Sequence, residues 1–118
     1  MDKVEKPWGW YIDLFRTEAC VKKILFIRKG EEISFQFHKN RKEVWRFLEG
    51  RATMKLAASV EAETHTSIHF PGSSLEIAPG VLHQVIAEKD DVMVFETQIG
   101  VCNENDIIRV GKDKYGRL

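Results

Sequence analysis

From Trp8 to Gln98 the chain is cut into short runs of β-branched, aromatic and alternating residues. Turn signals separate them about every eight to twelve residues, and no apolar stripe repeats at helical spacing. This punctuation points to an all-β class, a small double-sheet jelly roll. The pattern predicts strands over Trp8–Phe15, Cys20–Arg28, Ile33–His38, Glu43–Leu48, Arg51–Ala58, Ser67–Phe70, Leu75–Ile77, Leu82–Ala87 and Val92–Gln98. Glu49-Gly50 reads as a tight turn that makes Arg51–Ala58 the hairpin partner of the strand before it, and Glu88–Asp91 as a charged hairpin tip.

The stretch Gly30–Gly50 concentrates the chemistry. Side chains alternate along a strand, so Ser34, Gln36 and His38 share one face and Ile33, Phe35 and Phe37 the other. A short turn through Lys39–Lys42 brings Glu43 back to the polar face. An amide oxygen, an imidazole and a carboxylate converging there make most of a divalent-metal shell. A fourth donor, His83, is expected from the strand Leu82–Ala87. In Val92–Gln98, Val92, Val94, Glu96 and Gln98 share a face opposite Met93, Phe95 and Thr97. His65 and His69, four apart with no helix to carry them, read as surface residues.

At 118 residues, 43% of them hydrophobic and 31% charged, the chain suits one soluble domain with its own core. The 18 basic and 18 acidic residues cancel, which argues against nucleic acid as a partner and leaves anion binding to a local cluster. No run is apolar enough to span or enter a membrane, and the charged Met1–Lys6 lacks a signal-peptide core, so the expected location is the cytoplasm. Cys20 and Cys102 form no Cys-x-x-Cys unit and are expected as unpaired thiols. The apolar Phe35 and Phe37, together with an aromatic first strand able to extend a neighbour's sheet, suggest a homodimer.

Two glycine-anchored segments resemble a known pair of motifs. Gly30, Gln36, His38, Glu43 and Gly50 have the spacing of cupin motif 1, with Gln in place of its first His. Gly72, Ala78, Gly80 and His83 are similar to cupin motif 2, with Ala where Pro is usual. A narrower likeness covers nearly the whole chain. Lys6-Pro7-Trp8-Gly9-Trp10-Tyr11, then Ser34-Phe35-Gln36-Phe37-His38 with Arg41, Glu43 and Trp45, and the tail Glu104–Arg109 with Asp113–Arg117, resemble the cupin domain of type II mannose-6-phosphate isomerases. That domain is often fused behind a mannose-1-phosphate guanylyltransferase, which this sequence lacks. The resemblance implies a single cupin domain over 1–118, with an N-terminal arm to about residue 19, a barrel to about 100 and a tail beyond. Asn40 and Gln84 depart from it, standing where the family usually has a histidine and an arginine.

What the resemblance implies is aldose–ketose isomerisation of mannose 6-phosphate through a cis-enediol. A metal held by Gln36, His38, Glu43 and His83 would polarise the carbonyl; zinc is the first choice, with manganese, cobalt, nickel and iron as alternatives. Glu96 is the expected proton-transfer group and Lys22 a second candidate. Arg41, Arg109 and Gln98 are expected to meet a sugar phosphate, with Arg109 also close to the chemistry. The alternatives are a cupin that binds metal and sugar without catalysis, the two departures having removed substrate contacts, or a cupin acting on a different sugar.

Overall fold

The computed structural model describes residues 2–110, so the Asp113–Arg117 part of the tail likeness lies outside the described residues. The strands are β1 Lys3–Lys6, β2 Gly9–Arg16, β3 Cys20–Ile27, β4 Gln36–Phe37, β5 Arg41–Glu49, β6 Ala52–Ala57, β7 His65–His69, β8 Ser74–Ile77, β9 Leu82–Ile86, β10 Val92–Gly100 and β11 Ile108–Arg109. They form two antiparallel sheets, one ordered β1-β2-β3-β10-β5-β8 and the other β11-β4-β9-β6-β7, which is the expected jelly roll. Among the described residues no helix is long and apolar enough to cross a membrane.

The facing sides of the sheets enclose a core of Leu25, Ile27, Ile33, Trp45, Phe47, Ala52, Met54, Ile77, Val85, Ala87, Val92 and Val94. Their strands alternate buried with exposed or half-buried positions, as a sheet wet on one side requires. The inner face changes character along its length. Phe47, Val94 and Ile27 lie toward one end, whereas Glu43 pairs with Gln98 and Glu96 with Lys23 toward the other. Trp45, opposite Glu96, sits at the boundary. The barrel therefore has a packed apolar end and a polar end that opens into a cavity.

Four sequence expectations change. β5 and β6 are not hairpin partners: β5 pairs with β8 and β10, β6 with β7 and β9. Gly50 carries the chain between sheets with φ +80, and a Cβ there would lie 2.0 Å from the Asp91 carbonyl oxygen. A tight turn sets a reversal of direction; which strands then pair depends on which apolar faces enclose the core.

The segment Glu88–Asp91 likewise links the two sheets and tips no hairpin. Its acids tie neighbouring turns, Asp90 Oδ2 accepting from Arg51 N at 2.9 Å and Asp91 Oδ1 from Lys29 N at 2.8 Å. The third expected strand contracts to Gln36–Phe37. Between the bridge at Glu32 and Gln36 the backbone leaves the ladder, and Ile33 turns into the core while Phe35 and Phe37 stay half-buried. The aromatic strand β2 has no free edge, because β1, a charged strand without alternation, lies beside it. The argument that β2 extends a neighbour's sheet thus loses its geometry.

Candidate metal centre and cavity

The cavity at the polar end has a volume of about 350 Å³. Its wall from the sheet carries Lys23, Leu25, Arg41, Glu43, Glu96 and Gln98; Ser34, Gln36 and His38 line the opposite side. Lys6, Pro7, Trp8 and Tyr11 of the N-terminal hairpin and Glu104, Ile107 and Arg109 of the C-terminal segment complete the rim.

His38, Glu43 and His83 come together beside this cavity with donor atoms within 4.8 Å of one another. His38 Nδ1 lies 2.7 Å from the Asp106 carbonyl oxygen and His83 Nδ1 3.0 Å from the Val81 carbonyl oxygen. A carbonyl oxygen only accepts, so both Nδ1 atoms carry the hydrogen and both Nε2 atoms present lone pairs in the neutral rings. Those lone pairs face a carboxylate: His38 Nε2 is 3.2 Å from Glu43 Oε2, and His83 Nε2 is 3.4 Å from Glu43 Oε1. His83 Nε2 is buried with no hydrogen-bond partner among the described residues. Lone pairs aimed at a carboxylate repel unless a cation or proton lies between them; Arg41 Nη2 takes that place at His38, 3.3 Å from its Nε2, and nothing among the described residues does so at His83. Separations of 3.2 and 3.4 Å are also close to those between ligands around a cation bonded at about 2.1 Å. The residues fit a divalent metal.

The protein compensates for the burial of these charges. Glu43 is 1% exposed, and burial alone would raise its pKa. His83, His38 and Arg41 more than reverse this and hold the carboxyl well below its usual range. Trp45 Nε1 donates to its Oε1 at 3.0 Å. Burial and the Arg41 charge outweigh Glu43 and push His38 down. For His83 the balance is reversed: burial opposes its charge, but Glu43 prevails and raises it.

Glu96 is 5% exposed, and its carboxyl is pushed up to about 7 by burial, with the Glu43 charge adding to the effect. Gln98 Nε2 donates to Glu96 Oε1 at 2.5 Å, leaving Gln98 Oε1 buried without a partner among the described residues.

The other sequence candidates divide. Gln36 lies across the ladder from His83 and lines the cavity, its amide oxygen accepting from Ser34 Oγ at 2.7 Å. Arg109 lines the rim from β11 and is exposed. Arg41 lines the cavity, and its guanidinium is buried among the donors, with Nη2 2.9 Å from Glu43 Oε2. Lys22 is corrected, being exposed on the outer face, while its neighbour Lys23 is buried and lines the cavity. Sequence parity could not decide between them, because Val21, Leu25 and Ile27 on one face and Ile24 and Phe26 on the other are equally apolar. His65 is exposed as expected, and His69 is half-buried, stacked on Phe47 at 4.7 Å.

Pattern reading also passed over residues that brace the rim. Lys23 Nζ lies 3.5 Å from Glu104 and 3.8 Å from Asp13, and 4.4 Å from the centre of the Tyr11 ring; Arg16 pairs with both acids. Asp106 accepts from the backbone N–H groups of Lys39 and Asn40, both at 2.9 Å, which closes the turn behind His38. Glu104 and Asp106 carry no alternation signal because they lie in irregular chain, and Asp13 sits in β2 where the register shifts against β3. The two departures from the family pattern are outside the cavity. Asn40 is exposed in that turn, and Gln84 donates to the Ile33 carbonyl oxygen at 2.9 Å.

Residues 1–112 match the family described as mannose-6-phosphate isomerase C-terminal. The mannose-1-phosphate guanylyltransferase of Salmonella montevideo is 32% identical over 117 residues, covering 98% of this chain and 23% of that protein. That of Sinorhizobium fredii is 29% identical over 116 residues, covering 96% of this chain and 21% of its own. The chain thus spans about a fifth of the length of the curated relatives it matches. Among solved structures, the capsular polysaccharide assembling protein CapF of Staphylococcus aureus superposes with a TM-score of 0.81 at 11% identity, over 92% of this chain and 33% of its own. Oxalate decarboxylase of Bacillus subtilis gives 0.80 at 12%, over 92% and 30%. At such identities these two speak for the cupin fold alone.

Proposed function

The chain belongs to the family of mannose-6-phosphate isomerase C-terminal domains, and from that premise we propose that it is a metal-dependent sugar-phosphate isomerase, interconverting mannose 6-phosphate and fructose 6-phosphate through a cis-enediol. The observation that carries the reading is the buried His38–Glu43–His83 cluster beside a cavity of about 350 Å³ that also holds Glu96. That volume suits a small polar ligand.

Isomerisation takes a proton from C2 and returns it to C1, while a second proton passes between the two oxygens. A carboxyl pushed up to about 7 has both its acid and base forms well populated near neutral pH, which is what a group that removes and returns one proton needs. Glu96 is therefore the shuttle, oriented by the Gln98 amide. The unpartnered Gln98 Oε1 accepts from a sugar hydroxyl. A metal held by His38, Glu43 and His83, with Gln36 as an additional donor, supplies Lewis-acid polarisation of the carbonyl. Lys6, Lys23 and Arg109 place cations along the rim for the phosphate.

Proton NMR of mannose 6-phosphate in heavy water, with protein stripped of metal and reloaded with zinc, cobalt or manganese, tests the reading. Fructose 6-phosphate, with deuterium entering at its C1 and, through the reverse reaction, at C2 of mannose 6-phosphate, is expected in the loaded samples and lost in His83→Ala. A folded, metal-binding protein that produces neither exchange nor product with any of the three metals refutes it.

A further inference from the structure

Arg41 is buried, 7% exposed, and its guanidinium sits inside the donor cluster. Nε and Nη2 donate to Glu43 Oε2 at 3.0 and 2.9 Å, Nη1 donates to the Asn103 carbonyl oxygen at 3.4 Å, and Nη2 also lies 3.3 Å from His38 Nε2. Because His38 Nδ1 carries the ring hydrogen, Nε2 is the acceptor in that last contact. A neutral imidazole nitrogen has one lone pair. It can accept from Arg41 or bind a metal, and cannot do both.

We propose that Arg41 is the built-in counter-cation of this centre: a divalent metal must displace its Nη2 from His38 Nε2, so Arg41 sets the metal affinity of the site. The inference rests on the reading of His38, Glu43 and His83 as metal ligands. Two features of the structure follow from it. The guanidinium stands in for the missing positive charge beside a carboxylate that is 1% exposed, allowing the centre to form before metal arrives. Arg41 also lines the cavity, so an N–H released from His38 is presented to an anionic group entering there. The metal-free site is thus closed by an arginine, and the loaded site offers that arginine to a ligand.

The test is zinc affinity, read by competition with a chromophoric chelator, on the full chain and its variants. Arg41→Met removes the competing charge and is expected to bind zinc at least about tenfold more tightly than wild type. Arg41→Lys keeps the charge but not the planar fork, and is expected to bind about threefold more tightly. It decides the matter if Arg41→Met does not fold without metal. Unchanged or weaker affinity in the folded variants overturns the proposal while leaving the metal centre intact. His83→Ala separates the two ideas, since stoichiometric zinc lost in that variant confirms the centre itself. Absence of stoichiometric zinc binding in the wild type overturns the metal centre and this inference with it.

Discussion

Glu96 offers the sharpest thermodynamic handle. Its carboxyl lies at about 7 in the folded protein against a usual value of 4.5, so the folded state holds its proton over a window in which the unfolded chain has lost it. By linkage, more protons bound in the native state means that stability falls as pH rises. The penalty is absent below about 4.5, grows through the window and is complete above about 7. Moving a buried carboxyl across that interval corresponds to about 3 kcal/mol. Glu96→Gln keeps the shape, removes the titration and preserves a partner for the Gln98 amide. In chelator, urea unfolding at pH 4.5 and pH 8 should therefore give similar stabilities for wild type and variant at the acid end, and a variant more stable by about 2–3 kcal/mol at the alkaline end. Comparing the two proteins cancels most other titrations. A difference independent of pH would refute the argument that burial of the Glu96 charge is what costs stability.

Two further outcomes test the placement of the cavity wall and the turns. Lys23→Met should lower turnover of a phosphorylated sugar by about tenfold or more, whereas Lys22→Met, on the opposite face of β3, should leave it within about twofold; the reverse order would put the wrong face of the strand in the cavity. Gly50→Ala, with φ +80 and a Cβ 2.0 Å from the Asp91 carbonyl oxygen, should lose at least about 2 kcal/mol by urea titration. Gly72→Ala, at φ +95 with open space around its Cβ, should lose only about 1 kcal/mol.

Much of the site was legible in the sequence because its residues are close along the chain or set by strand parity. Ser34, Gln36 and His38 were placed on one polar side by alternation, and they line the cavity although much of their expected strand lies outside the ladder. Glu96 and Gln98 share the inner face with Val92 and Val94 for the same reason. Parity failed at Lys22 and Lys23, where both faces of β3 are apolar, and it could say nothing of Glu104 or Asp106, which lie in irregular chain, nor of Asp13, where β2 shifts register.

The all-β class, the position of most strands and the shared face of Gln36 and His38 could be read from the chain alone, because turn residues and alternation are local properties of a covalent chain, and His83 joined them through the resemblance to the second cupin motif. The pairing of strands across Gly50 and Glu88–Asp91, the choice of Lys23 over Lys22 for the cavity and the burial of Arg41 among the donors came from the three-dimensional arrangement. Those depend on how two sheets enclose a common interior, where burying Glu43 demands a nearby positive charge and a residue far off in the sequence, His83, presents a lone pair to the same carboxylate.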